Sequence, residues 1–134
     1  MSIKNLLFRF FLANFGLHIL ASIVLTYFNV KSNAGADIGI LVASIYYVCI
    51  SFGKQNKRYF TKQEKLKVVF GLIFANILVQ QLLILAYAIA TNTTFSNKAT
   101  LISLGLIGFL HGIFIYFLVG SARKMLIKDG TISE

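Results

Sequence analysis

The chain has 134 residues, of which 57% are hydrophobic and 13% charged, and its 13 basic against 4 acidic residues leave a formal net charge of +9. An ordinary soluble helical domain needs polar faces at helical spacing, and this composition excludes them. One cysteine excludes a disulfide within the chain, and the absence of proline excludes proline kinks.

Four apolar runs follow one another. The first, Phe10 to Val30, predicts a helix over about 6–30. Its basic start suits a signal peptide, but the run is too long and Ser32-Asn33-Ala34 is a poor cleavage site, so an uncleaved helix is expected. The second run predicts a helix over 36–53, with Asp37 near its start and Cys49 as a small buried hydrophobe. The third predicts a helix over 62–90. Thr61 followed three residues on by Glu64 has the spacing of a capping box, which sets its start near Lys62. The fourth predicts a helix over 99–122. A bilayer core of ~30 Å takes ~20 helical residues. All four runs fit that length, the second narrowly, so the expected fold is all-α: one four-transmembrane-helix antiparallel bundle spanning residues 1–134.

The basic residues report orientation. All but Lys31 and Lys98 lie before the first apolar run, between the second and third runs, or after the fourth. Short loops rich in Lys and Arg stay in the cytoplasm. Both termini and the basic loop 54–67 are therefore expected inside, with two short hairpins facing outward. Lys54, Lys57, Arg58, Lys62, Lys65 and Lys67 in that loop are expected to touch anionic lipid headgroups; a cytoplasmic protein partner is the alternative. The net charge is thereby explained by topology, and no nucleic-acid fold is recognisable, so no nucleic-acid partner is expected.

Two stripes of small residues carry packing information. Gly35, Gly39 and Ala43 lie four apart on the second helix, and Gly108 and Gly112 do so on the fourth, with Gly105 nearby. Such stripes let helix backbones approach closely in lipid. Both are expected to pack inside one bundle; a homodimer interface is the alternative.

Polar residues inside the apolar runs are the best functional clue. Asn14, His18 and Ser22 share one face of the first helix; Asn76 and Gln80 share one on the third, with Gln81 beside them. At ~1.5 Å per residue from the basic edges, Asn76, Ser44, His111, His18 and Gln80 all stand at heights of ~13–19 Å. A polar layer near the midplane is therefore expected, built from Asn14, His18, Ser44, Asn76, Gln80 and His111. One reading is a closed hydrogen-bond network that sets helix register. The other is a polar cavity for a ligand, ion or proton with two titratable histidines. Two histidines without Cys or carboxylate at their depth make a poor zinc set, so neither metal nor cofactor is expected. Asp37 is expected at the outer rim, capping its helix, with Lys31 as a candidate partner.

No paired acids, nucleophile beside a base, or phosphate-cradling glycine loop is present, so no enzyme is expected. The size alone resembles the small multidrug efflux families, but no acid stands inside an apolar core where those families use a glutamate. Gly35-Ala36-Asp37-Ile38-Gly39, Leu41-Val42-Ala43-Ser44, Asn56, Arg58, Phe60-Thr61 and Glu64 resemble a family of small bacterial inner-membrane proteins known only by a locus-tag name. That resemblance implies four transmembrane helices in a bacterial inner membrane, and no activity or site residues. The expected function is that of an accessory, regulatory or immunity-type interaction protein. The alternative is a small transporter whose midplane cavity involves His18 and His111.

Overall fold

The computed structural model describes residues 1–30, 34–92 and 97–132. The described residues form four helices and no strand: α1 (Ile3–Tyr27), α2 (Ala34–Asn56), α3 (Lys62–Thr91) and α4 (Asn97–Lys128). Each contains a stretch long and apolar enough to cross a membrane.

The ends follow capping chemistry rather than hydropathy. Asn5 N donates to Ser2 Oγ, so α1 begins before its apolar run. α3 begins at the capping box: Glu64 N donates to Thr61 Oγ1, and Thr61 N donates to Glu64 Oε2. Both α2 and α4 continue past their predicted ends, to Asn56 and Lys128, because a helix leaves the apolar layer before a terminator stops it. α2 stops at Lys57, which adopts the left-handed conformation; Asn29 and Asn92 do so after α1 and α3.

α1 packs on α2 and α3, and α4 packs on the same two helices. The ring order is thus α1, α2, α4, α3. α2 and α3 are consecutive in the chain yet stand diagonally opposed. Contacts join the start of α1 to the end of α2, and join α2 and the link after it to the last third of α4. The Met1 ammonium donates to Asn56 Oδ1 at 2.6 Å, Tyr46 Oη donates to Ser121 Oγ at 2.9 Å, and Tyr59 Oη donates to Val119 O at 2.5 Å. Burial pushes the Tyr59 phenol well above its usual range, which keeps it a neutral donor. The basic segments consequently gather at one end of the bundle, hereafter the basic end.

The core fills that half. Leu6, Phe10, Val48, Phe52, Leu72 and Val119 are buried there, and the Phe52 and Phe60 rings meet at 4.3 Å between centroids. Cys49 is a free, buried thiol within this core.

The two small-residue stripes have different fates. Gly108 and Gly112 receive Ile77 and Ile73 of α3, whose Cδ1 atoms lie 3.1 and 3.0 Å from where a side-chain carbon would stand. That stripe packs inside the bundle as expected. The α2 stripe does not: Gly35, Gly39 and Ala43 are exposed, and a side-chain carbon on Gly39 would meet nothing within 4 Å. The expectation that both stripes pack internally is corrected for α2. Its buried face is Leu41, Ser44, Ile45 and Val48, offset from the stripe around the helix.

Candidate functional site

Above the apolar core lies a chain of buried amides. Asn14 Nδ2 of α1 donates to Asn76 Oδ1 of α3 at 3.1 Å, and Asn76 Nδ2 donates to His111 Nδ1 of α4 at 3.0 Å. Asn14 and Asn76 are 0% and 2% exposed, so no water competes for these bonds. Their positions follow from helical spacing. Asn14 is four residues beyond buried Phe10, Asn76 four beyond buried Leu72, and His111 four before buried Ile115. Each polar group therefore continues the inward face of its helix.

The hydrogen-bond chain has a direction. With His111 Nδ1 accepting, its proton sits on Nε2. Reversing both amides gives an equivalent arrangement in which His111 Nδ1 donates to Asn76 and Asn76 donates to Asn14 Oδ1. Asn14 Oδ1 is the atom now buried without a partner. The layer can thus hold either form of His111 with the same number of bonds.

His18, one turn past Asn14, does not join this chain. Its Nδ1 lies 3.6 Å from Asp37 Oδ1 in the first turn of α2, beyond ordinary hydrogen-bond length but within ion-pair reach when the ring is protonated. Asp37 is about half exposed, with its carboxylate turned to the buried His18 ring. The contact brings a carboxylate to the level of His18, which corrects the expectation that none stands at the depth of the histidines, and because α2 begins at Ala34, Asp37 lies in its first turn rather than at its cap. Lys31, the candidate partner, lies outside the described residues.

Two members of the expected layer, Ser44 and Gln80, and Ser22 beside it also stay out of the chain. Ser44 is buried, but its hydroxyl is without a partner, so it lies at the layer without bonding into it. Gln80 is half-buried and makes no bond to Asn76 or either histidine, whereas neighbouring Gln81 has a buried, unpaired Nε2. Ser22 turns its hydroxyl back to the His18 carbonyl at 2.8 Å, which satisfies it within its own helix. The layer thus resolves into an Asn14–Asn76–His111 chain, a His18–Asp37 pair and an isolated Ser44. Among the described residues no three His, Cys, Asp or Glu side chains converge as a metal site requires.

The basic loop is also differentiated. Arg58 makes a bidentate pair with Glu64, Nη1 to Oε2 at 2.7 Å and Nη2 to Oε1 at 2.9 Å. That bond raises the Arg58 pKa, so its charge is permanent but already paired. Lys54, Lys57, Lys62 and Lys67 are exposed, while Lys65 is half-buried with Nζ 3.8 Å from the Tyr116 ring centroid. Sequence reasoning missed Tyr116, Gly120, Arg123 and Lys124, which line a hollow beside Lys62 and Lys65. Treating the loop and the end of the fourth helix as separate charge clusters concealed their proximity. No protein-family model, curated protein or solved structure matches the chain.

Proposed function

We propose that the chain is a non-enzymatic four-pass protein of a bacterial inner membrane, an antiparallel bundle with both termini and the basic loop cytoplasmic. Its role is that of an accessory, regulatory or immunity-type interaction protein. Membrane placement is supported by the outward faces. Phe70, Phe74, Phe109 and Phe117 are between 68% and 69% exposed on helices of spanning length, an arrangement suited to lipid and unsuited to water. Orientation is supported by the gathering of Lys and Arg at one end. The resemblance around Gly35–Glu64 supports the bacterial inner membrane.

The observation that carries the interaction role is the outward Gly35–Gly39–Ala43 stripe. Leucine faces suit lipid as well as protein, whereas small residues at i and i+4 allow a second helix to approach closely. The test uses the buried position of Cys49, which keeps the native thiol silent. Ala43→Cys and Gly39→Cys, carrying a benzophenone maleimide, are expected to give one defined photo-adduct in native membranes. Leu12→Cys, exposed on α1, is the control. An adduct of twice the mass identifies a second copy, and another mass identifies a different partner. No adduct, or equal labelling from Leu12→Cys, overturns the role.

One observation favours the carrier reading: the His18–Asp37 pair lies where buried packing ends, since no described residue of α1 beyond His18 or of α2 before Leu41 is buried. Proton flux into proteoliposomes distinguishes the two. The interaction reading expects no flux that depends on His18 or His111. A flux abolished by both His18→Ala and His111→Ala replaces it with the carrier.

A further inference from the structure

At the basic end, the start of α3 and the end of α4 enclose a hollow of about 560 Å³. Lys62, Lys65, Arg123 and Lys124 line it, and no acidic side chain does. The nearest acid in sequence, Glu64, is already committed: its carboxylate accepts both Arg58 nitrogens and the Thr61 N–H. Four cations therefore face one space without internal neutralisation. Gly120 keeps the wall low, and a side-chain carbon there would stand 3.7 Å from Lys65 Nζ.

The hollow continues into a second feature that carries no charged residue. An apolar groove of about 430 Å³ runs along the α3–α4 seam towards the bilayer interior, sharing Leu66 and Tyr116 with the basic hollow. Gly108 and Gly112 form part of its floor, and Phe70 and Ile113 are among its walls. A hollow with largely apolar walls, four cationic side chains in its lining and an apolar groove leading from it has the polarity profile of a phosphate headgroup joined to an acyl chain.

We infer that the α3–α4 seam is a specific site for one anionic phospholipid. Lys62, Lys65, Arg123 and Lys124 hold its phosphate, and the Leu66–Gly112 groove holds one of its acyl chains. Tyr116 stands at the junction, its ring already against the Lys65 ammonium. Of the loop residues expected to meet headgroups, this divides Lys62 and Lys65, which belong to the site, from Lys54, Lys57 and Lys67, which do not line it, and from Arg58, which is paired to Glu64. The inference rests on the membrane placement and not on the interaction role, which the α2 adducts test on another face.

The experiment is native mass spectrometry of the purified full chain in neutral detergent, offered phosphatidylglycerol, phosphatidylcholine of the same acyl chains, or inorganic phosphate. One phosphatidylglycerol is expected to be retained, at roughly tenfold higher occupancy than phosphatidylcholine. A cation near an anionic headgroup contributes roughly fivefold in affinity. Lys65→Gln with Arg123→Gln should therefore weaken retention about 25-fold. Lys54→Gln with Lys67→Gln removes the same charge outside the hollow and should leave retention unchanged. Gly120→Leu, which fills the hollow without altering charge, should match the loss in the first pair and serves as an independent variant if that pair misfolds. Equal loss from both lysine-containing pairs overturns the inference in favour of diffuse attraction. Equal retention of phosphatidylcholine, or displacement of phosphatidylglycerol by millimolar inorganic phosphate, also overturns it.

Discussion

Replacing Asn76 with leucine is expected to destabilise the protein more than any other single change in the polar layer. Leucine nearly conserves volume, so the loss reports hydrogen bonding rather than a cavity. Asn76 makes both bonds of the chain, to Asn14 and His111. Interhelical hydrogen bonds in lipid contribute ~0.6 kcal/mol on average and up to ~1.7 kcal/mol. Leaving a buried polar partner unsatisfied costs ~1–3 kcal/mol. The combined expectation is a loss of about 2–3 kcal/mol, read as the shift in reversible unfolding by SDS in mixed micelles. Asn14→Leu removes one bond and should cost about 1 kcal/mol. Because Asn14 is then already absent, the double variant should lose less than the sum of the singles, the signature of a shared bond. A neutral Asn76→Leu, or strict additivity, would mean that the amide chain does not hold α1, α3 and α4 together.

The second large effect is steric. A side-chain carbon on Gly53 would collide with the methyl groups of Leu126, and both residues are buried where α2 meets α4. Gly53→Val should therefore destabilise by about 2 kcal/mol, within the ~1–3 kcal/mol typical of overpacking. Leu126→Ala alone leaves a cavity, with a cost of ~2–5 kcal/mol. Combining them exchanges bulk across the contact, so the pair should be more stable than Leu126→Ala alone. The same unfolding measurement decides, and a double variant worse than both singles would exclude this direct contact. Gly39→Val, on the open α2 face, should shift stability by no more than about 0.5 kcal/mol in the detergent-solubilised monomer.

Hydropathy and capping explain which parts of this architecture are legible from residues alone. The four apolar runs locate four helices because the interval available to each is set by apolar length, and Thr61 with Glu64 marks the start of α3 because the capping box is a local device. Helix ends at Asn56 and Lys128 are less legible, since nothing in hydropathy stops a helix at the edge of an apolar layer. Depth counting placed Asn76 and His111 near one level, and they meet, with Asn14 joining them from the face it shares with His18. Depth carries no azimuth, however. It does not separate Gln80, which remains outside the chain of bonds, from Asn76, which forms its centre. It also does not reveal that His18 turns to Asp37, or that Ser22 closes on its own backbone. The α2 stripe shows the same restriction: spacing by four defines a face, but the neighbours that cover it depend on ring order. The hollow at the basic end was hidden for a related reason, because its four cations come from two segments far apart in sequence.

The diagonal placement of α2 and α3 has a consequence for biogenesis. On the proposed membrane placement the four helices would insert as two sequential hairpins, α1 with α2 and α3 with α4, and the contacts of α1 on α3 and of α2 on α4 are the ones that join the hairpins. The polar groups are apportioned to match. His18 meets Asp37 within the first hairpin, and Asn76 meets His111 within the second. Each hairpin thus pairs part of its polar load within itself. Asn14 is the group whose partner lies across the divide: its amide finds Asn76 in the second hairpin. Until that hairpin arrives, the first carries one unmet amide in hydrocarbon, which penalises the separated hairpin and favours docking in the register that joins Asn14 to Asn76.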